Sequence, residues 1–131
     1  MNGGYGEVLR VPTPAIGCLL CARAELVRTG AMINPEEHLD QAYGTGTRHL
    51  PMTAVGGDLM LVGQLAAKVC VATLLHARGF ADQRLPGDHA VIALRPRLGM
   101  AEPFDMEFAG EIKWRHLPPP RDDCPTCGLP A

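Results

Sequence analysis

Four of the five cysteines fall into two Cys-x-x-Cys pairs, Cys18/Cys21 and Cys124/Cys127, which bracket almost the whole 131-residue chain. A two-residue spacer lets both thiolates of a pair approach one ion from a tight turn, and two such turns complete a tetrahedral four-sulfur site. Zn2+ suits this donor set. With four protein ligands no position stays open, so the role implied is structural rather than hydrolytic. The competing uses are disulfides, or thiol redox chemistry by one pair. Cys18 lies roughly where a thioredoxin-type motif would, after a strand and before a helix, whereas Cys124 follows a proline run. No signal peptide is visible in Met1-Asn2-Gly3-Gly4-Tyr5. The expected compartment is therefore the cytoplasm, where paired thiols more often bind metal than each other. Cys70, set among Val69, Val71 and Ala72, reads as a small buried apolar residue.

Other residues offer weaker chemistry. His38, His49, His76, His89 and His116 show no metal-ligand spacing. Glu102, Asp105 and Glu107 read as a solvated hairpin turn rather than paired catalytic carboxylates, and Trp114 as a core anchor. Gly44-Thr45-Gly46-Thr47 lacks the strand-loop-helix context and the Lys of a phosphate loop, so it reads as a flexible connector. A net charge of −2 argues against a nucleic-acid binder with a broad basic face. Asp58, Gln64 and Lys68 interrupt the longest apolar helix, which argues against a membrane span.

The elements that must position these residues follow from periodicity. At 131 residues, 47% of them apolar, the chain has the length of one domain. Glu7-Val8-Leu9-Arg10-Val11 alternates as a strand, and Ala, Glu, Leu and Arg favour a helix over residues 19–28, ended by Thr29-Gly30. Asn34-Pro35-Glu36-Glu37 is a helix start. The strongest helix is expected over residues 58–77, with Asp58 as N-cap and Gly79 at the left-handed C-terminal position. It is apolar on most sides and must be buried against a sheet or a partner. A strand is expected over residues 89–95. Over residues 108–117, Phe108, Gly110, Ile112, Trp114 and His116 share one face and Glu111, Lys113 and Arg115 the other, as in a half-buried antiparallel strand. Gly128 suits the turn that presents Cys127.

The order of these pieces resembles the C-terminal half of the ThiF/MoeB/HesA superfamily of ubiquitin-activating-enzyme-like adenylyltransferases. The matching pieces are Gly6-Glu7-Val8-Leu9-Arg10-Val11 leading into Cys18-Leu19-Leu20-Cys21, then Leu50-Pro51-Met52-Thr53, Gln64-Leu65-Ala66-Ala67-Lys68, and Cys124-Pro125-Thr126-Cys127-Gly128. The resemblance implies an α/β fold, a partial Rossmann-like domain with a long buried helix, antiparallel strands and a structural zinc. It also implies ATP- and Mg2+-dependent adenylation of the C-terminus of a small ubiquitin-like or sulfur-carrier protein. Residues 22–50 would match the crossover loop that lies over the carrier's tail. The family's nucleotide loop lies upstream of the zinc cysteines, and only seventeen residues precede Cys18, so the ATP and Mg2+ sites are not expected here. Met52 occupies the position of the family's nucleophilic cysteine, and a thioether cannot form an acyl or persulfide intermediate.

The expectation is thus a single domain over residues 1–131 that is inactive alone. It would pair with itself or with a nucleotide-binding half, and would bind neither nucleic acid nor membrane. A stand-alone zinc-stapled interaction module is the alternative, and a thiol-disulfide oxidoreductase a third reading.

Overall fold

A computed structural model describes residues 4–13, 15–31 and 56–128. Strand β1 (Tyr5–Leu9) is followed by helix α1 (Leu19–Arg28), helix α2 (Gly56–Ala77), a short 3-10 turn (Ala81–Gln83), β2 (His89–Ala93) and β3 (Ile112–Arg115). The predicted helix start at Asn34, the connector around Gly44 and Gly46, His38, His49 and Met52 lie outside the described residues. So does most of the stretch matched to the crossover loop, whose first residues, 22–28, are part of α1.

The three strands form one sheet in the order β1-β2-β3, antiparallel throughout. The fold is therefore a mixed helix and antiparallel-sheet domain, and the Rossmann-like arrangement that the resemblance implies is not shown by these strands. In the register Leu9 faces His89, Glu7 faces Val91 and Tyr5 faces Ala93, while His89 faces Arg115 and Ala90 faces Trp114. Directly opposed residues share a face, and neighbours along a strand alternate. One face thus carries Tyr5, Glu7, His89, Val91, Ala93, Lys113 and Arg115; the other carries Gly6, Val8, Ala90, Ile92, Ile112 and Trp114.

Helix α1 covers the first face. Leu26 packs with Val91, Ala93, Phe104 and Met106 in the buried core, and Tyr5 and Ala31 lie against it. Phe104 and Met106 arrive on the segment whose acidic residues, Glu102, Asp105 and Glu107, read in sequence as a solvated hairpin turn. Arg97 and Met106 form an isolated antiparallel bridge, which folds the chain back so that both side chains reach the sheet. The Tyr5 and Phe104 rings sit 4.8 Å apart in a tilted arrangement, with the Arg97 guanidinium 4.6 Å from the Tyr5 ring centre. The acidic cluster is spread along this hairpin. Glu102 pairs with Lys113, the Asp105 carboxylate accepts the Gly99 N–H, and Glu107 donates its N–H to Glu111.

Helix α2 lies on the opposite face and packs chiefly against β1 among the strands, where the missing side chain of Gly6 gives room to Val62. The helix begins at Gly56, so Asp58 stands in its first turn rather than at the cap, where its charge still favours the helix N-terminus. The expected end holds: Gly79 has φ +96° and its N–H reaches the His76 carbonyl, as a left-handed terminator does. The chain's own sheet does not bury the helix. Only Val69 and Ala72 are buried, and Leu59, Met60, Val71 and Leu74 each expose about half or more of their surface. A 22-residue helix laid on one edge strand can bury only one narrow stripe. Cys70, one step round from Val69, is consequently exposed rather than buried. By length and composition alone α2 would suffice to cross a membrane. The strand read over residues 108–117 shortens to Ile112–Arg115. Its Trp114 is only half-buried, because α2 does not extend over β3.

Candidate metal centre

The two Cys-x-x-Cys pairs meet at one end of α1. Cys18 takes the N-cap position of that helix in extended backbone geometry, and Cys21 falls in its first turn. The helix itself is pinned to the sheet by two ion pairs. Arg23 donates two bonds to the Glu7 carboxylate, at 2.9 and 2.7 Å, and Arg115 donates to Glu25 at 3.0 Å. Glu7 also accepts the Nε2–H of His89 at 3.0 Å, since an ionised carboxylate can only accept. That imidazole is fully buried and its Nδ1 has no partner among the described residues.

Burial alone would raise the Glu7 pKa, but the bonds from His89 and Arg23 outweigh it and hold the carboxyl at about 2. Sequence reading gives Glu7 and Arg23 no role. The one available signal is a histidine opening an otherwise apolar strand, His89-Ala90-Val91-Ile92-Ala93.

The second pair is delivered by the proline run that leaves β3. The Gly17 N–H donates to the Pro118 carbonyl at 2.8 Å. A Cβ on Gly17 would stand 2.7 Å from the Cys21 Cβ and 2.8 Å from that same carbonyl, so only glycine lets the two strands of chain pass this closely. The Arg121 N–H points at the Cys21 sulfur at 3.5 Å. Gly128 closes the second turn by donating its N–H to the Cys124 carbonyl, where a Cβ would come within 2.5 Å of that oxygen and 2.7 Å of the Asp122 carbonyl. The expectation for Gly128 holds, and close approach is the reason rather than a left-handed backbone.

The four sulfurs lie within 4.8 Å of one another. Their nearest approaches run between the pairs, Cys18 to Cys124 at 3.6 Å and Cys21 to Cys127 at 3.5 Å. A tetrahedron with metal–sulfur bonds of about 2.3 Å has edges of about 3.8 Å, whereas a disulfide needs about 2.05 Å. The spacing is that of four ligands around a shared centre. Cys21 and Cys124 are buried, and Cys18 and Cys127 partly so.

The local electrostatics already separate the thiols. The N–H groups of Cys127 and Thr126 hold the Cys124 thiol down to about 6. For Cys127 the Cys18 N–H pulls the same way, but burial and the neighbouring sulfurs outweigh it and push it up to about 12. A cation at the centre relieves that crowding of sulfur charge, because metal ligation needs the thiolate form.

Among the described residues these four cysteines are the only cluster of three or more ligand-type side chains that converge in this way. No protein-family model matches the chain, and no curated protein or solved structure is significantly similar to it, so the four-sulfur cluster and the residues that frame it carry the functional reading.

Proposed function

We propose that the cluster holds a structural Zn2+ ion, and that the domain it staples is the zinc-bearing half of an ATP-dependent adenylyltransferase acting on a ubiquitin-like or sulfur-carrier protein. The observation that carries this reading is the convergence of four thiolates from segments 106 residues apart in sequence. Soft sulfur donors in a small tetrahedral cage select zinc over Mg2+ or Ca2+. The paired cysteines at this separation are also the most specific part of the resemblance to the ThiF/MoeB/HesA superfamily. In this reading ATP and Mg2+ bind in a nucleotide-binding half that joins the domain. The exposed apolar residues of α2 supply a surface for that half or for a second copy. With Met52 in place of a nucleophilic cysteine, the chemistry stops at adenylation.

Two measurements test it. The chain alone is expected to show no ATP–pyrophosphate exchange and to capture small carrier proteins ending in Gly-Gly. Exchange by the chain alone, or failure to retain any such carrier, overturns the adenylyltransferase reading. A stand-alone zinc-stapled interaction module is the second reading, favoured by the antiparallel sheet and by a core that closes among the described residues. That reading expects no carrier to bind.

A further inference from the structure

Away from the cysteines, a cleft of about 510 Å3 opens between the C-terminal end of α2, the loop ahead of β2 and the ends of β1 and β3. Its lining is Arg10, His76, Arg84, Leu85, Pro86 and His116, so four of the six residues carry basic side chains. They come from four separate stretches of chain, and the fold fixes two of them. Arg10 is held by Thr73 at 3.1 Å, by the Gly87 carbonyl and by Asp88 at 3.2 Å, and His116 leans on the same carboxylate at 3.4 Å. Asp88 is almost wholly buried and is shared by two basic partners. It positions them and offsets the charge of Arg10, which leaves Arg84 as the uncompensated guanidinium of the cleft. Arg84, His76 and most of His116 face solvent, and Arg84 makes no ion pair among the described residues.

The loop that carries Arg84 is built close to the sheet on purpose of geometry: a Cβ on Gly87 would stand 2.5 Å from the Arg115 carbonyl. Of the carbonyls at the end of α2, whose partial negative charge would oppose an anion, those of Leu75 and His76 are engaged by the N–H groups of Arg78, Gly79 and Phe80. Asp82 lies nearby in the 3-10 turn, bonded to Gln83.

We propose that this cleft is an anion site that takes a phosphate group, free or as a phosphate monoester. The Arg84 guanidinium, with two imidazoles and the anchored Arg10 around the same cleft, offers donors to the several acceptor oxygens of phosphate. Leu85 and Pro86 give an organic body an apolar wall. The volume falls within the range of small-ligand pockets, roughly 300–1,000 Å3. This assignment is independent of the metal centre and of the adenylyltransferase reading.

The test titrates the full chain with inorganic phosphate and, separately, with phenyl phosphate at constant ionic strength. It follows the imidazole resonances of His76 and His116 by NMR. Saturable shifts in both histidines are expected. Tighter binding of phenyl phosphate places an organic body against Leu85 and Pro86, and equal binding assigns the site to the phosphate group alone. R84A, which removes an exposed side chain, should weaken binding at least tenfold, whereas R28A, an exposed arginine outside the cleft, should leave it unchanged. Shifts that fail to saturate, that chloride reproduces, or that R28A weakens as much as R84A overturn the proposal.

Discussion

Removing the metal, or one of its ligands, should cost this domain much of its stability. The perturbation is C124S, or a strong chelator applied to reduced protein. The cross-link through the metal joins residues 106 apart. Closing a loop of that length removes chain entropy worth about 4.7 kcal/mol at 25 °C by the treatment used for disulfides. The metal–thiolate bonds add to this, since apparent binding energies of structural zinc reach about 10–16 kcal/mol in small domains. Against a net stability of roughly 5–15 kcal/mol, the loop term alone corresponds to a fall in Tm of roughly 15 °C.

Thermal melts by circular dichroism, with metal content measured on the same samples, give the readout. About one zinc per chain is expected before chelation, with a lower Tm after it and recovery on adding zinc back. C70S is the control: Cys70 is exposed and lies outside the cluster, so it should change stability by no more than about 0.5 kcal/mol. A metal-free, reduced protein that melts within a few degrees of the loaded one would refute the claim that this centre staples the fold.

Other outcomes follow from single contacts. Glu7 has its carboxyl lowered from 4.5 to about 2, so its ion pairs stabilise fully above pH 4.5 and the contribution fades as pH falls toward 2. That contribution is about 3 kcal/mol, and E7Q should flatten the acid limb of a urea-unfolding series relative to wild type. G128A drives a Cβ to within 2.5 Å of the Cys124 carbonyl and should weaken metal retention in a chelator competition while leaving Cys18 and Cys21 in place. G87A meets the Arg115 carbonyl at the same distance; it should lower the unfolding free energy read from urea melts by about 1–3 kcal/mol, the usual cost of overpacking. Light scattering of the wild type should show association through α2, and M60E/L74E, at two of its most exposed apolar positions, should shift the protein toward monomer.

Much of the candidate metal site is legible in the sequence because its chemistry is local to each pair. The spacer in Cys-x-x-Cys sets the turn, and the separation of the pairs demands that distant segments meet. Residues 19–28 are also legible as a helix, and Gly79 as a helix end, because propensity and capping act within a few residues. Against the local pattern β1 is displaced by two residues and β2 and β3 are shorter by two or more, because the ladder decides pairing. Thus β1 is Tyr5–Leu9, since Tyr5 finds Ala93 opposite it, and β3 ends at Arg115.

What the amino-acid order by itself determined is the set of four paired cysteines, the position of both turns that present them, and the amphipathic or apolar character of each helix. Only the tertiary structure decided which surfaces are covered. It turned Glu7 inward onto Arg23 and His89, brought Phe104 and Met106 into the core from a segment read as a solvated turn, and gathered Arg10, His76, Arg84 and His116 around one cleft. It also left α2 largely uncovered. The reason is physical: burial depends on what lies opposite a residue in space, and periodicity along one segment specifies a face without specifying its neighbour.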